Sequence, residues 1–464
     1  MAQHDYDIAN DTGANVRADI NNVLDAIATN NNGSSAPSTT FAHQFFANNT
    51  SGNMQLRNAG NSAFVDIFTL TGGPAFAVDG TINGLNIGRG TNDVAGNTVL
   101  GETALDAAVS GSNNTAIGKQ SLTALTSGAN NTAVGPECLK TITTASSNTA
   151  IGSGALKLND SGAANTALGA FALDANDTGS FNTAIGTATL GANTSGSNNI
   201  AIGRQALDSN TTADDNVAIG VGALGVNETG TQNVAIGKNA LDANTTADNN
   251  TAVGNNSLTA NTTGASCTAM GSSALSANTT GDFNTAIGGS ALIANTEGTR
   301  NIAIGYQALK TMQTGDSNVA IGQNALFDAT GSCNVAVGDG ALFDVSSGAS
   351  NSGFGHRTLL ALTTGSNNTA LGKGAGDVTT TGSNNLTLGV DADPSSNSAS
   401  NEVTLGDSNI TAIRCQVQSI SALSDERDKT DIVDSEDGLD IINALKPRKF
   451  TWAMREPSDN DGKT

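Results

Sequence analysis

The chain of 464 residues carries 42 acidic and 20 basic side chains, and only 3% of it is aromatic while 55 residues are glycine. A net charge of −22, without a basic stripe interleaved with aromatic residues, argues against nucleic-acid binding. No run of 18 apolar residues occurs, so no membrane insertion is predicted. Residues 1–6 lack the basic and apolar stretches of a signal peptide, so we expect no export by that route.

Residues 1–35 are predicted to form an amino-terminal helix followed by a polar linker. Apolar residues recur there at spacings of three and four, as an amphipathic helix requires: Val16, Ile20, Val23, Leu24 and Ile27. Two heptads are too few to hold a coiled coil alone, but they suit the start of a bundle of identical chains.

Residues 36–96 are predicted to form a small β segment. Phenylalanine is concentrated here, and Met54–Arg57 and Ala63–Phe68 have the composition of two strands joined across Asn58–Asn61. Residues 1–70 resemble the virion-attaching amino-terminal segments of tail fibres from marine podoviruses. The resemblance implies an α+β attachment segment that binds virion tail proteins.

Residues 97–410 are dominated by a repeat whose glycine returns every 17 residues from Gly101 to Gly322. The next step, to Gly338, is 16 residues, and the following steps to Gly406 are again 17. A period this regular predicts a solenoid. Disorder does not account for it, because a disordered chain does not keep apolar residues in phase over so many units.

Each repeat unit predicts one coil of a β-solenoid. Residues 114–118, Asn-Thr-Ala-Ile-Gly, recur as residues 182–186, and their composition favours a strand that ends in a glycine turn. A small residue and a leucine follow the glycine by three and four positions, as Ala206 and Leu207 do after Gly203. A polar segment such as residues 278–281 then predicts a turn. We therefore predict an all-β shaft with a thin core of alanine, valine, isoleucine and leucine.

The repeat is similar to the head repeats of trimeric autotransporter adhesins, which use the same Asn-x-Ala-Ile-Gly strand in shorter units. The resemblance implies three chains packed together. Burying one leucine stabilises by ~1.5–3 kcal/mol, whereas ordering one backbone residue costs ~1–2 kcal/mol. A single coil therefore has little margin, and we predict a homotrimer. Whether the three chains coil separately or interwind stays open.

Residues 411–464 are predicted to form a separate α/β module. The last 44 residues hold 18 of the 62 charged residues and Trp452, the only tryptophan. Residues 435–445 have the pattern of a short helix that Pro447 ends, and residues 449–452 have the pattern of a strand.

Residues 423–432 and 445–452 resemble the beginning of the intramolecular chaperone domain of phage tail fibres and tailspikes. In that family the domain follows a trimeric β-stalk, promotes trimerisation and then cuts itself off before a serine. The resemblance implies cleavage of the Leu423–Ser424 bond, with Ser424 as nucleophile and Lys429 as base. Without this resemblance, the residues alone favour a charged linker with a helix cap.

The implied chemistry makes specific demands on Lys429. A lysine base must be neutral, so its pKa must fall by roughly 3 units from ~10.4 through burial. Ser424 and Lys429 are five residues apart and do not face each other on a helix, so a loop or a second chain must bring them together. The chain ends at Thr464, before the remainder of that domain, and we expect no self-cleavage by this polypeptide.

The sequence therefore predicts a trimeric virion tail fibre that attaches to a host-surface glycan or outer-membrane receptor. One alternative is a self-processing serine peptidase. The other is a cellular trimeric adhesin, for which a signal peptide and a membrane anchor would be expected.

No cofactor or metal is predicted, because the cysteines and histidines are far apart: Cys138, Cys267, Cys333, Cys415, His4, His43 and His356. Asp214 and Asp215 fall in a polar turn, so a pair of glycosidase carboxylates is not expected.

Overall fold

The computed structural model describes residues 85–414 continuously, together with residues 32–33, 45–48, 53–57, 64–69 and 80–82. Contacts divide the chain into two compact units, residues 1–409 and 410–464. All regular secondary structure within the described ranges is β-strand. The helix predicted within residues 1–35 and the α/β module predicted beyond residue 414 lie outside those ranges.

The strands are numbered in chain order. Four belong to an amino-terminal sheet: β1 (Asn32–Gly33), β2 (Phe45–Asn48), β3 (Asn53–Arg57) and β4 (Phe64–Thr69). The others form one long sheet: β5 (Gly80–Ile82), β6 (Leu85–Gly88), β7 (Thr98–Gly101), β8 (Thr115–Ile117), β9 (Thr132–Val134), β10 (Thr149–Ile151), β11 (Thr166–Leu168), β12 (Thr183–Ile185), β13 (Ile200–Ile202), β14 (Val217–Ile219), β15 (Val234–Ile236), β16 (Thr251–Val253), β17 (Thr268–Met270), β18 (Thr285–Ile287), β19 (Ile302–Ile304), β20 (Val319–Ile321), β21 (Val335–Val337), β22 (Ser352–Phe354), β23 (Thr369–Leu371), β24 (Leu386–Leu388) and β25 (Val403–Leu405).

The amino-terminal sheet contains the two strands that the sequence predicts between residues 54 and 68. Strand β3 pairs antiparallel with β4, with a register shift between Met54 and Gln55. Strand β2 pairs antiparallel with β3, and β1 is parallel to β2.

The long sheet is a ladder of parallel strands stacked in chain order. Strands β5, β6 and β7 pair antiparallel, and from β7 onward each strand pairs in parallel with the next. Equivalent residues face each other, as Ala116 faces Ala133. Because these pairings join only strands that are adjacent in the chain, the sheet is an open ladder rather than a closed barrel. This arrangement confirms the predicted elongated β-solenoid, with about 18 turns.

The 16-residue step is absorbed in a polar turn and leaves the strand ladder intact. Val319 pairs with Val335, so β20 and β21 remain in register. In the coil before the step two residues separate Met312 from Gly315, whereas one residue separates Ala329 from Gly331. The missing residue is therefore in the turn.

The coil glycine ends each strand at a place where a side chain does not fit. At Gly254 φ is 136°, which an L-residue adopts only with strain, and a Cβ there would lie 2.6 Å from the carbonyl oxygen of Gly271 in the next coil. Stacking of the coils therefore requires glycine here, which explains its regular return in the sequence.

The repeated leucine lies in the left-handed region of backbone space, which the sequence pattern does not reveal. Leu207 has φ of 51° and is fully buried. Its N–H donates to the carbonyl of Ala223 in the next coil, at 3.0 Å. This conformation costs about 1–3 kcal/mol, which the ~1.5–3 kcal/mol from burying the side chain offsets.

The core differs in composition from the predicted one. Alanine at the centre of strands β8 to β21 and of β23 is buried, as are the small residue and the leucine after the glycine. The apolar residue that ends each of these strands points outward instead, because successive residues of a strand face opposite sides. The remaining core positions hold mostly asparagine, with apolar residues such as Leu125, Ile142, Met312 and Leu362 in some coils.

A first ladder of buried asparagines precedes the strands. The backbone N–H of Asn233 donates to Oδ1 of Asn216 in the preceding coil at 3.0 Å, and Nδ2 of Asn233 donates to the carbonyl of Ala247 at 2.9 Å. Each side chain thus satisfies two backbone groups that would otherwise be buried without a partner. The ladder runs from Asn97 to Asn385, interrupted at Cys267.

A second ladder of buried asparagines lies in the polar turn that follows the leucine. It is confined to the middle of the shaft, from Asn159 to Asn295. Nδ2 of Asn176 donates to Oδ1 of Asn159 at 2.7 Å and to the carbonyl of Gly179 at 3.0 Å. The ladder ends at Asn295, whose buried Oδ1 has no hydrogen-bond partner. The next coil offers no donor because Met312 occupies the equivalent position.

Replacing Cys267 by asparagine should stabilise the shaft. The Cys267 thiol lies 3.2 Å from the carbonyl oxygen of Gly281. At the equivalent position in the other coils of the ladder, an asparagine Oδ1 accepts the backbone N–H of the residue one coil later, and Cys267 lacks this oxygen. Cys267→Asn would supply that acceptor for Asn284, at about 0.5–1.5 kcal/mol per hydrogen bond. Thermal unfolding of Cys267→Asn should show a higher Tm than the parent, whereas Cys267→Ala should not. Equal Tm values for the two variants would contradict this account.

Candidate functional site

The residues predicted to carry out self-cleavage, Leu423, Ser424 and Lys429, lie outside the residues that the structure describes. Their roles stay predictions. The candidate functional surface within residues 85–414 is therefore the exterior of the solenoid, which the coil positions define column by column.

One column is apolar along the whole shaft. We call the residues that end strands β8 to β24 the strand stripe, and all are aliphatic except Met270 and Phe354. They are Ile117, Val134, Ile151, Leu168, Ile185, Ile202, Ile219, Ile236, Val253, Met270, Ile287, Ile304, Ile321, Val337, Phe354, Leu371 and Leu388.

The strand stripe is partly open to solvent in the single chain. Relative exposure is 37% at Ile236, 44% at Met270 and 54% at Leu371. Scattered exposed apolar residues are ordinary, but a contiguous apolar surface usually marks a contact with another molecule. The strand stripe is continuous because the parallel ladder places equivalent residues side by side.

Acidic residues in the polar turns support the neighbouring coil rather than forming a catalytic pair. Oδ1 of Asp214 accepts the N–H of Ser197 at 2.6 Å, and Oδ1 of Asp248 accepts the N–H of Thr231 at the same distance. Asp215 occupies a turn position with φ of 61°. Asp214 thus links its own coil to the backbone of the preceding one.

One ion-pair cluster joins successive coils near the beginning of the shaft. Glu137 contacts Lys157 at 2.7 Å and Lys140 at 2.9 Å, and hydrogen bonds from these two lysines lower the pKa of Glu137 to about 2. Any stability that the cluster adds is present above the ordinary carboxyl pKa and is lost as the pH falls toward 2. Each side chain keeps about a third of its surface in solvent, so the contribution is small.

The cysteines occupy structural positions in the described ranges. Cys138 and Cys267 are buried, and burial raises the pKa of Cys138 and raises that of Cys267 to about 11. Both thiols are therefore protonated at neutral pH and poor nucleophiles. Cys333 is exposed at a turn position with φ of 63°. These placements agree with the prediction that the cysteines are small buried or turn residues; Cys415 lies outside the described part.

Residues 85–414 and the short segments before them contain no group of three or more histidine, cysteine, aspartate or glutamate side chains able to hold a metal ion. In the same residues there is no helix of the length and apolarity needed to cross a membrane.

Sequence inspection missed the outward position of the strand stripe. The signal was present, because a three-residue strand with a buried central alanine must expose both of its neighbours. The regular return of isoleucine instead suggested a core residue, which is the more common role of that side chain.

Comparison with known proteins gives one match, at the carboxyl end. Residues 424–464 match the family model described as chaperone of endosialidase. No curated protein and no solved structure matches the chain. The resemblance recognised in residues 423–432 and 445–452 is thereby confirmed at the level of this family. The protein combines a β-solenoid shaft of about 18 turns with a carboxyl-terminal segment similar to the endosialidase chaperone.

Proposed function

We propose that the protein is a virion tail fibre: a homotrimer whose β-solenoid shaft presents a surface to the host cell. The observation that carries this proposal is the chaperone-of-endosialidase match directly after a long, periodic shaft. By resemblance to that family, the carboxyl-terminal segment assists trimerisation of the stalk before it. Residues 1–96 would attach the fibre to the virion tail.

The strand stripe supports the trimer and supplies its contact face. A column of 17 large apolar side chains is costly to leave in water, at roughly 25 cal/mol per Å². A second copy of the same column offers a surface of the same length and spacing. A periodic stripe also fits its partner after a shift of one coil, so three chains benefit from a segment that sets their alignment.

Acidic substitutions on the strand stripe should weaken the trimer. Ile236→Asp with Ile287→Asp would place two charges in the contact, whereas Asn255→Asp with Ser272→Asp adds the same charge at exposed positions just beyond the coil glycine. Sedimentation equilibrium should give a trimer for the parent and the control pair, and increased monomer for the stripe pair. A monomeric parent would overturn the trimer, and an unaffected stripe variant would overturn this contact face.

Host attachment is proposed from the tail-fibre resemblance, with a surface glycan or outer-membrane component as the receptor. An antibody to the shaft should label tail appendages of virions by immunoelectron microscopy, and the purified chain should reduce adsorption of those virions to host cells. Labelling of the cell envelope instead would favour the cellular adhesin. If the antibody labels virions but the purified chain does not change their adsorption, the protein would be a structural fibre without a receptor-binding role.

Self-processing is a second candidate, favoured by the start of the family match at Ser424. Cleavage of the Leu423–Ser424 bond would leave a product of 423 residues, visible in the intact mass. Ser424→Ala should abolish that product, whereas Ser435→Ala should not. An undivided chain from both the parent and Ser424→Ala would contradict self-processing.

A further inference from the structure

Two open notches lie on the surface just after the coil glycine. Each is centred on a coil whose second residue after that glycine is itself glycine: Gly222 in one coil and Gly374 in the other. Cavities of about 360 Å³ and about 420 Å³ open at these two places. Their volumes are at the lower end of the range for small-molecule sites.

Glycine at the second position after the coil glycine does not by itself create a notch. Gly154 is covered by the Phe171 ring, whose nearest carbons would lie 3.1 and 3.2 Å from a Cβ at Gly154. Arg357 and Leu360 lie near Gly340 in the same way. At Gly222 and Gly374, by contrast, the neighbouring side chains are charged and polar and a cavity stays open.

The first notch is lined by charges of both signs. Two cations line it: Arg204, in the coil before Gly222, and Lys238, in the coil after it. Each directly follows the glycine of its coil. Asp208 and Asp242 provide two carboxylates. Oδ1 of Asp242 would lie 2.7 Å from a Cβ at Gly225, so this oxygen lies close to the backbone that lines the notch.

These charges are not neutralised by each other. None of the four side chains is in an ion pair within the described part of the chain. Burial raises the pKa of both Asp208 and Asp242, as expected for carboxylates that lose water without gaining a cationic partner. The notch therefore holds separated donors and acceptors around an open cavity.

The second notch repeats this chemistry nine coils away, roughly 43 Å along the shaft at the spacing of adjacent strands. His356, Arg357 and Lys373 line it on the basic side. Asp377 and Asp391 line it on the acidic side, and a carboxylate oxygen of each faces the space that a Cβ of Gly374 would occupy. Both notches place basic side chains and two carboxylates around a glycine at the same coil position, which points to ligands of similar chemistry.

We propose that both notches bind hexuronic acid units of an acidic polysaccharide. The sugar carboxylate pairs with the arginine and lysine side chains, and its hydroxyls donate hydrogen bonds to the aspartate carboxylates. A basic peptide would pair with the carboxylates but leave the cations without a counter-charge, and a neutral sugar would also leave them unpaired. This inference rests on the proposed attachment function and names the chemical class of its receptor.

The arrangement favours weak binding at each notch and strong attachment overall. A single shallow site of this size suits a dissociation constant on the order of a millimolar. Repetition along one chain, and again in three chains, raises the overall affinity because later contacts are intramolecular. A long acidic polysaccharide can occupy several notches together.

The test uses the full-length chain and a tetrasaccharide of galacturonic acid, with the neutral galactose tetrasaccharide as control ligand. Calorimetric titration should show binding of the acidic tetrasaccharide alone, and added salt should weaken it. Gly222→Asn with Gly374→Asn fills both notches with a residue already found at the equivalent Asn239, where φ is 55°. This double variant should bind at least ten-fold more weakly with unchanged thermal unfolding.

Charge variants provide an independent arm. Arg204→Gln with Lys238→Gln, in a chain whose Gly374 notch is filled, should also reduce binding at least ten-fold. Lys119→Gln is the matched control, because Lys119 has the same coil position but pairs with Glu102 at 3.0 Å, far from either notch. Absence of binding by the parent, equal binding of the neutral sugar, or full binding by the filled variant would each overturn the proposal.

These outcomes are distinguishable from failure of the proposed function. If the filled variant blocks virion adsorption as well as the parent does, the notches are not the receptor site while host attachment stands. If neither protein affects adsorption but the parent still binds the acidic tetrasaccharide, the notches stand and host attachment fails.

Discussion

Buried asparagine side chains hold the coils of this protein together through hydrogen bonds to the backbone. An asparagine side chain accepts and donates at once, so Asn216 binds the backbone of the next coil through Oδ1 and a carbonyl of its own coil through Nδ2. A core this narrow has little apolar volume, and buried backbone groups left without partners would cost about 1–3 kcal/mol each. The asparagine ladders remove that cost at every turn.

The same narrow core explains why large apolar residues are found outside it. Alanine at most strand centres permits close approach across the coil, and the leucine after the glycine, joined in some coils by a turn residue such as Leu125 or Ile142, fills the remaining volume. The large apolar residue that ends each strand from β8 to β24 lies on the exterior. The shaft is consequently amphipathic, with a continuous apolar stripe on its exterior.

Much of the fold is predictable from the sequence because the period is explicit. The returning glycine indicates one coil per unit, and Thr-Ala-Ile indicates the strand. The conformation of Leu207 is not predictable, since leucine rarely adopts positive φ and does so here only because the adjacent coil accepts its N–H. The burial of Asn216 is also hidden, because asparagine in a glycine-rich segment usually indicates an exposed turn. The notches depend on what neighbouring side chains leave uncovered, as Phe171 shows at Gly154.

The in-register pairing of equivalent residues also governs how the length of such a shaft changes during evolution. Since a coil contacts chiefly the coils before and after it, duplication or loss of one whole unit recreates every contact at the junction. Shaft length therefore varies in increments of one strand spacing, about 4.8 Å. A partial unit is tolerated in a polar turn, as between Ala329 and Gly331. Gain or loss of whole units thus alters the length of the shaft, and the distance between the two notches, without redesigning the core.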